Sequence, residues 1–65
     1  MKTLTTKTST YTFYRKGKAI WCEIITGSLN TKHQVYKVNT NKPYIRWCGA
    51  FFTLPDEATA IVQSL

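Results

Sequence analysis

Residues 10–26 read TYTFYRKGKAIWCEIIT, two β-rich runs on either side of a short, charged, glycine-bearing segment. Tyr11 and Phe13 alternate with Thr10, Thr12 and Tyr14, the period of two that a strand imposes on its side chains. Arg15-Lys16-Gly17-Lys18 then reads as a hairpin loop and Ala19–Thr26 as the returning strand. In that strand Ile20, Cys22 and Ile24 share one wholly apolar face, expected to point into a core. Ala19, Trp21, Glu23 and Ile25 share the other.

The pattern continues downstream. Thr26–Lys32 is a loop by composition. His33–Asn39 reads as a third strand, with Val35, Tyr36 and Val38 as its β-formers, and Thr40–Pro43 as a turn. Tyr44–Cys48 is a fourth strand with Ile45 and Trp47 on one side and Tyr44, Arg46 and Cys48 on the other. Gly49 predicts a bulge or bend, beyond which Ala50-Phe51-Phe52 extends the strand. The chain closes with TLPDEATAIVQSL, residues 53–65. Thr53 as N-cap, Asp56 three residues on and Pro55 in the first turn mark a helix start. Asp56 and Glu57 lie at the positive end of its dipole, and Ala58, Ile61, Val62 and Leu65 form one apolar stripe. A helix of about three turns is not stable alone, so it must pack on the sheet. Residues 1–8 are rich in Thr and Lys, with Leu4 the one apolar side chain beyond Met1, and read as a flexible N-terminal arm. The expected architecture is a single small α+β domain over residues 9–65: an antiparallel sheet of three to four strands with one C-terminal helix packed on one face.

Sixty-five residues allow one small core and are too few for a typical cofactor-binding α/β enzyme. Aromatic content of 14% argues against a disordered tail. Cys22 and Cys48 are too few for a disulfide scaffold, and His33 brings the Cys and His total to three, short of the four ligands of a structural zinc site. No metal and no cofactor are expected. Both thiols read as free in a reducing, cytoplasmic setting, each a small buried hydrophobe in an aromatic strand; the competing reading pairs Cys22 with Cys48. The N-terminal segment MKTLTTKTST lacks the apolar run of a secretory signal, and no stretch approaches 18 apolar residues, so no membrane association is expected. His33 has no catalytic partner placed near it by sequence. Two of the three carboxylates sit at the helix start, and no glycine-rich phosphate loop is present. The chain reads as a binding module without enzymatic activity.

The net charge of +6 is unevenly spread. Residues 1–50 carry all nine positive side chains against Glu23 alone, which makes +8, and residues 51–65 carry Asp56 and Glu57 alone, which makes −2. The basic residues therefore belong to the sheet, its loops and the arm. Arg15, Lys16 and Lys18 cluster in the first loop, and Lys37 and Arg46 lie within strands. If Ile45 and Trp47 face the helix, the solvent face carries Tyr44, Arg46 and Trp21, with Lys37 or Tyr36 beside them. Lys and Arg neutralise phosphates and release counterions, aromatic rings stack on bases, and arginine reads guanine edges in a major groove. This points to nucleic acid as the partner.

The stretch Arg46-Trp47-Cys48-Gly49-Ala50-Phe51-Phe52-Thr53, followed by Asp56-Glu57-Ala58 and Ala60, resembles the end of AP2-type DNA-binding domains, and in outline the arm-binding domains of phage integrases. The resemblance implies a three-stranded sheet laid in the DNA major groove, with Arg46, Trp47 and the first-loop basic residues as contacts, and so Trp47 on the exposed face. The extra residues around 33–42, the shorter helix and the threonines where the family has an arginine-dense first strand depart from that pattern. The alternative is a protein–protein module or inhibitor, such as a phage-type blocker of a host factor, dimeric through an unpaired edge strand.

Overall fold

The computed structural model describes residues 1–65. Six strands and one helix follow in order: β1 Lys2–Thr5, β2 Thr10–Lys16, β3 Ala19–Thr26, β4 Leu29–Tyr36, β5 Tyr44–Trp47, β6 Ala50–Thr53 and α1 Asp56–Gln63. The strands form one antiparallel sheet whose spatial order equals the chain order, an unbroken meander. The α+β class with a C-terminal helix holds; the sheet has six strands where three to four were expected, and the same excess separates it from the three-stranded sheet that the AP2 resemblance implies.

Tight two-residue turns account for the earlier start of β4 and for the added strand β6. The β3–β4 connection is only Gly27-Ser28, so the expected loop over 26–32 is mostly strand, and β4 begins at Leu29 and ends at Tyr36. Gly27 and Gly17 take φ of +60 and +63 with an ordinary φ after them, the signature of a type II′ turn, whose twist suits a two-residue hairpin. At β5–β6, Cys48 and Gly49 both have positive φ, +53 and +79, which is type I′. Gly49 therefore reverses the chain instead of bending it, and Ala50–Thr53 turns back to pair with β5.

The remaining addition is β1. Residues 1–8 are not a loose arm throughout: Lys2–Thr5 pairs with Thr10–Phe13. The intervening loop is tied by Thr6, whose N–H and hydroxyl both donate to the Ser9 carbonyl at 2.8 and 3.1 Å. A strand with one inward apolar residue, Leu4, gives little periodic signal, and its pairing rests on backbone hydrogen bonds and the β propensity of threonine.

Alternation sorts the sheet into two faces. The helix side carries Phe13, Ile20, Cys22, Ile24, Val35 and Ile45, all buried, and Leu54, Ala58 and Val62 close the same core from above. Leu4, Tyr11, Trp47, Ile61 and Leu65 pack against its margin. The inward set expected for β3 is the observed one, as is the apolar stripe of the helix.

Helix α1 is two turns long, and its capping differs from expectation. Thr53 lies in β6, Pro55 is the N-cap residue, and no side chain caps the N-terminus. Asp56 and Glu57 still occupy the first turn. The helix has no basic residue in its own last turn; the sheet supplies cations, with Lys2 Nζ donating to Ser64 Oγ at 2.7 Å and the Arg15 guanidinium donating to the Leu65 carbonyl. Its other side is fastened to the β4–β5 connection, where Gln63 Nε2 donates to the carbonyls of Val38 and Thr40 at 3.3 and 3.2 Å. No helix is long and apolar enough to cross a membrane.

The type I′ turn makes a direct prediction. Cys48→Asn creates the Asn-Gly pair that this turn favours and is expected to stabilise the fold by up to about 1 kcal/mol. Gly49→Ala places a Cβ at φ +79 and is expected to cost about 1–2 kcal/mol. Urea unfolding midpoints of the two variants should move in opposite directions.

Candidate nucleic-acid interface

The face turned away from α1 is built by the other half of the alternation. Register sets Tyr14 opposite Trp21 and Trp21 opposite Gln34. Tyr36 faces Tyr44, and Arg46 faces Phe51. The Tyr36 and Tyr44 rings stack at 5.5 Å, and Tyr44 meets Phe51 edge-on at 5.0 Å. The Arg46 guanidinium lies 6.0 Å from the Phe51 centroid, and Lys16 Nζ lies 5.7 Å from the Trp21 ring. Such cation–π contacts are worth roughly 0.5–1 kcal/mol at exposed sites and hold both groups in a shared orientation. Phe51 is 67% exposed and Tyr36 37%.

Glu23 is the one acidic side chain of the sheet, and it sits opposite Lys32 with a 3.9 Å ion pair. An exposed pair of this kind adds little stability, but it cancels the only negative charge on the face.

Meander parity adds a second feature. Connections alternate between the two ends of the sheet, so the β2–β3 turn and the β4–β5 loop lie at the same end. Lys16, Lys18, Lys37 and Lys42 therefore collect there, all exposed, beside the Tyr36–Tyr44 stack. Lys37 takes φ +57, and its carbonyl accepts from the Thr40 N–H and hydroxyl at 3.1 and 2.7 Å, which folds the loop tightly against the sheet end.

Of the residues expected to contact nucleic acid, Trp21, Tyr44, Arg46 and Lys16 share the face, and Lys18 and Lys37 share its basic end. Two are placed elsewhere. Arg15 pairs with Ile20, so it is on the helix side, where it binds the Leu65 carbonyl. Trp47 is also on the helix side, half-buried, with its ring 4.9 Å from His33 and 6.3 Å from Phe52; this is the alternation reading and not the exposed position that the AP2 resemblance implies. Phe51 was missed. Gly49 after Cys48 fits a two-residue hairpin as well as the bulge expected, so the residue names alone did not place Phe51 on this face.

On the helix side a cavity of about 420 Å³ opens at the opposite end of the sheet, lined by Tyr11, Ile24, Ile45, Trp47, Phe52 and Leu54 among others. His33, which faces Cys22 across β3–β4, is buried and shares a 2.9 Å hydrogen bond between Nε2 and Thr31 Oγ1. Both thiols are free, Cys22 buried and Cys48 exposed at the hairpin tip, so the pairing of the two is not formed and Cys48 is not a core hydrophobe. Burial, reinforced by the neighbouring Glu23 carboxylate, raises the Cys22 pKa from 9.0 to about 12. That direction keeps the thiol protonated, the opposite of what a nucleophile needs.

The chain matches no protein-family model, no curated protein and no solved structure.

The two thiols should be chemically distinct. At mildly alkaline pH a disulfide reagent should titrate one thiol per folded chain, Cys48, and two after denaturation. Since the folded Cys22 keeps a proton that the unfolded chain loses near its ordinary pKa, this group removes stability as pH rises from about 9 toward 12. Equal reaction rates for both thiols in the native protein would contradict the buried site.

Proposed function

We propose that the protein is a non-enzymatic nucleic-acid-binding module, acting in a reducing, cytoplasmic setting, with the solvent face of its sheet as the contact surface. The observation that carries this reading is the joining of Trp21, Tyr44, Phe51 and Arg46 on one face to a lysine-rich end of the same sheet. The lysines supply phosphate neutralisation, a term that is independent of sequence and dependent on salt. The rings supply stacking surfaces that water covers poorly and bases cover well. The acidic helix start lies on the far side of the sheet, so the charge is polarised between the two sides.

Fluorescence anisotropy across a salt series tests this. The logarithm of the binding constant should fall linearly with the logarithm of salt, with a slope of roughly −0.7 to −0.9 per neutralised phosphate. Lys18→Ala should reduce the slope by about one such increment, and Arg46→Ala should weaken binding without unfolding the protein, since both side chains are exposed. Binding that does not respond to salt would sink the reading.

A second reading rests on β6. Every residue of Ala50–Thr53 is exposed, none is charged, and one side of the strand has no partner in the sheet. Unpaired apolar edges of this kind pair with a second strand. On this reading the chain is a protein-binding module, its simplest form a homodimer through β6. Sedimentation should then show a concentration-dependent dimer that Phe52→Lys abolishes; a monomer at high concentration would leave β6 without this role.

A further inference from the structure

We infer that the polynucleotide this face takes is single-stranded, an inference that rests on the nucleic-acid reading above. The first argument is width. A major groove of about 12 Å admits a helix or a two-stranded ribbon. Here the binding groups run from Lys16 on β2 to Phe51 on β6, across five adjacent strands of a sheet in which neighbours lie about 4.8 Å apart. The spread is close to 19 Å before side chains are added, too broad to seat in the groove of a duplex.

The second argument is the chemistry of the exposed groups. Reading base edges in a groove needs free directional donors and acceptors. On this face the Arg46 guanidinium lies 6.0 Å from the Phe51 centroid and Lys16 Nζ lies 5.7 Å from the Trp21 ring, so the cations sit beside rings. The largest open apolar surface is also ring surface: Phe51 at 67% exposure, with Tyr36 and Tyr44 packed beside it. Ring faces offer nothing to a stacked duplex, whose bases are covered by their neighbours, and bind the unstacked bases of a single strand. The lysine-rich end next to the Tyr36–Tyr44 stack gives the phosphates of that strand a place to run while its bases lie on the rings.

The test is anisotropy at one fixed salt concentration with three probes of roughly 15 units, within the usual range of single-strand site sizes: oligo-dT, oligo-rU and a mixed-sequence duplex. At least one single strand should bind 10-fold or more tightly than the duplex. Tyr44→Ala and Phe51→Ala should each weaken single-strand binding by roughly 5- to 100-fold while the salt slope stays unchanged, because rings carry no charge. Phe51 is mostly exposed, so Phe51→Ala keeps the fold even if Tyr44→Ala does not, and circular dichroism checks both. A preference for dT over rU, or the reverse, identifies the strand as DNA or RNA and supports the class. A duplex bound as tightly as either single strand, or ring variants that bind normally, overturns the inference and leaves nucleic-acid binding standing. No salt-dependent binding to any probe overturns both.

Discussion

The apolar seal between the sheet and α1 is the contact on which the rest of the molecule depends. A meander sheet has two faces, and only one of them here is apolar enough to need covering: Phe13, Ile20, Cys22, Ile24, Val35 and Ile45. Leu54, Ala58 and Val62 are the residues available to cover it. Each fully buried aliphatic or aromatic side chain contributes roughly 1.5–3 kcal/mol, and a domain this small has few to spare. The dependence runs both ways. A two-turn helix has no stability of its own, and it exists because the sheet gives it an apolar bed and supplies cations, through Lys2 and Arg15, at the end where its own sequence has none.

That seal decides what the other face can be. With one helix and one core, the remaining side of the sheet has nothing within the chain to cover it. Strand alternation then dictates that whatever is not core points outward, which puts Trp21, Tyr44, Arg46 and Phe51 together without any contact to the helix. The unbroken strand order contributes the rest. Because every connection is a local reversal, the β2–β3 and β4–β5 connections fall at one end, and Lys16, Lys18, Lys37 and Lys42, which a linear reading scatters, become one basic rim. The acidic pair at the start of α1 serves the helix dipole and stays clear of that rim.

The legible parts of the fold were those with a strong repeating signal. In β3, three apolar residues at a spacing of two name their own face, and the stripe from Ala58 to Leu65 names the buried side of α1. The candidate site was legible to the same depth: Trp21, Tyr44 and Arg46 follow from alternation once the inward set is known. Lys16 and Lys18 follow from the hairpin. The parts that resisted reading had weak or shared signals. In β1, Leu4 alone carries the pattern, and polar threonines read as tail when no pairing partner is in view. Gly49 fits a bulge and a reversal equally well, and only the positive φ at the preceding Cys48 distinguishes a type I′ turn, a backbone property that the residue name Cys does not announce.

By itself, then, the sequence determined the α+β class, the inward residues of the central strands, the C-terminal helix and the excess of positive charge outside it, because these depend on periodicity and composition within a few residues of chain. Tertiary structure alone decided the number of strands, the helix-side position of Arg15, and the meeting of Phe51 with Tyr44 and Arg46. Those outcomes depend on register. A slip of one residue exchanges the faces of a strand, and which register wins is set by pairing energies between segments that no local pattern contains.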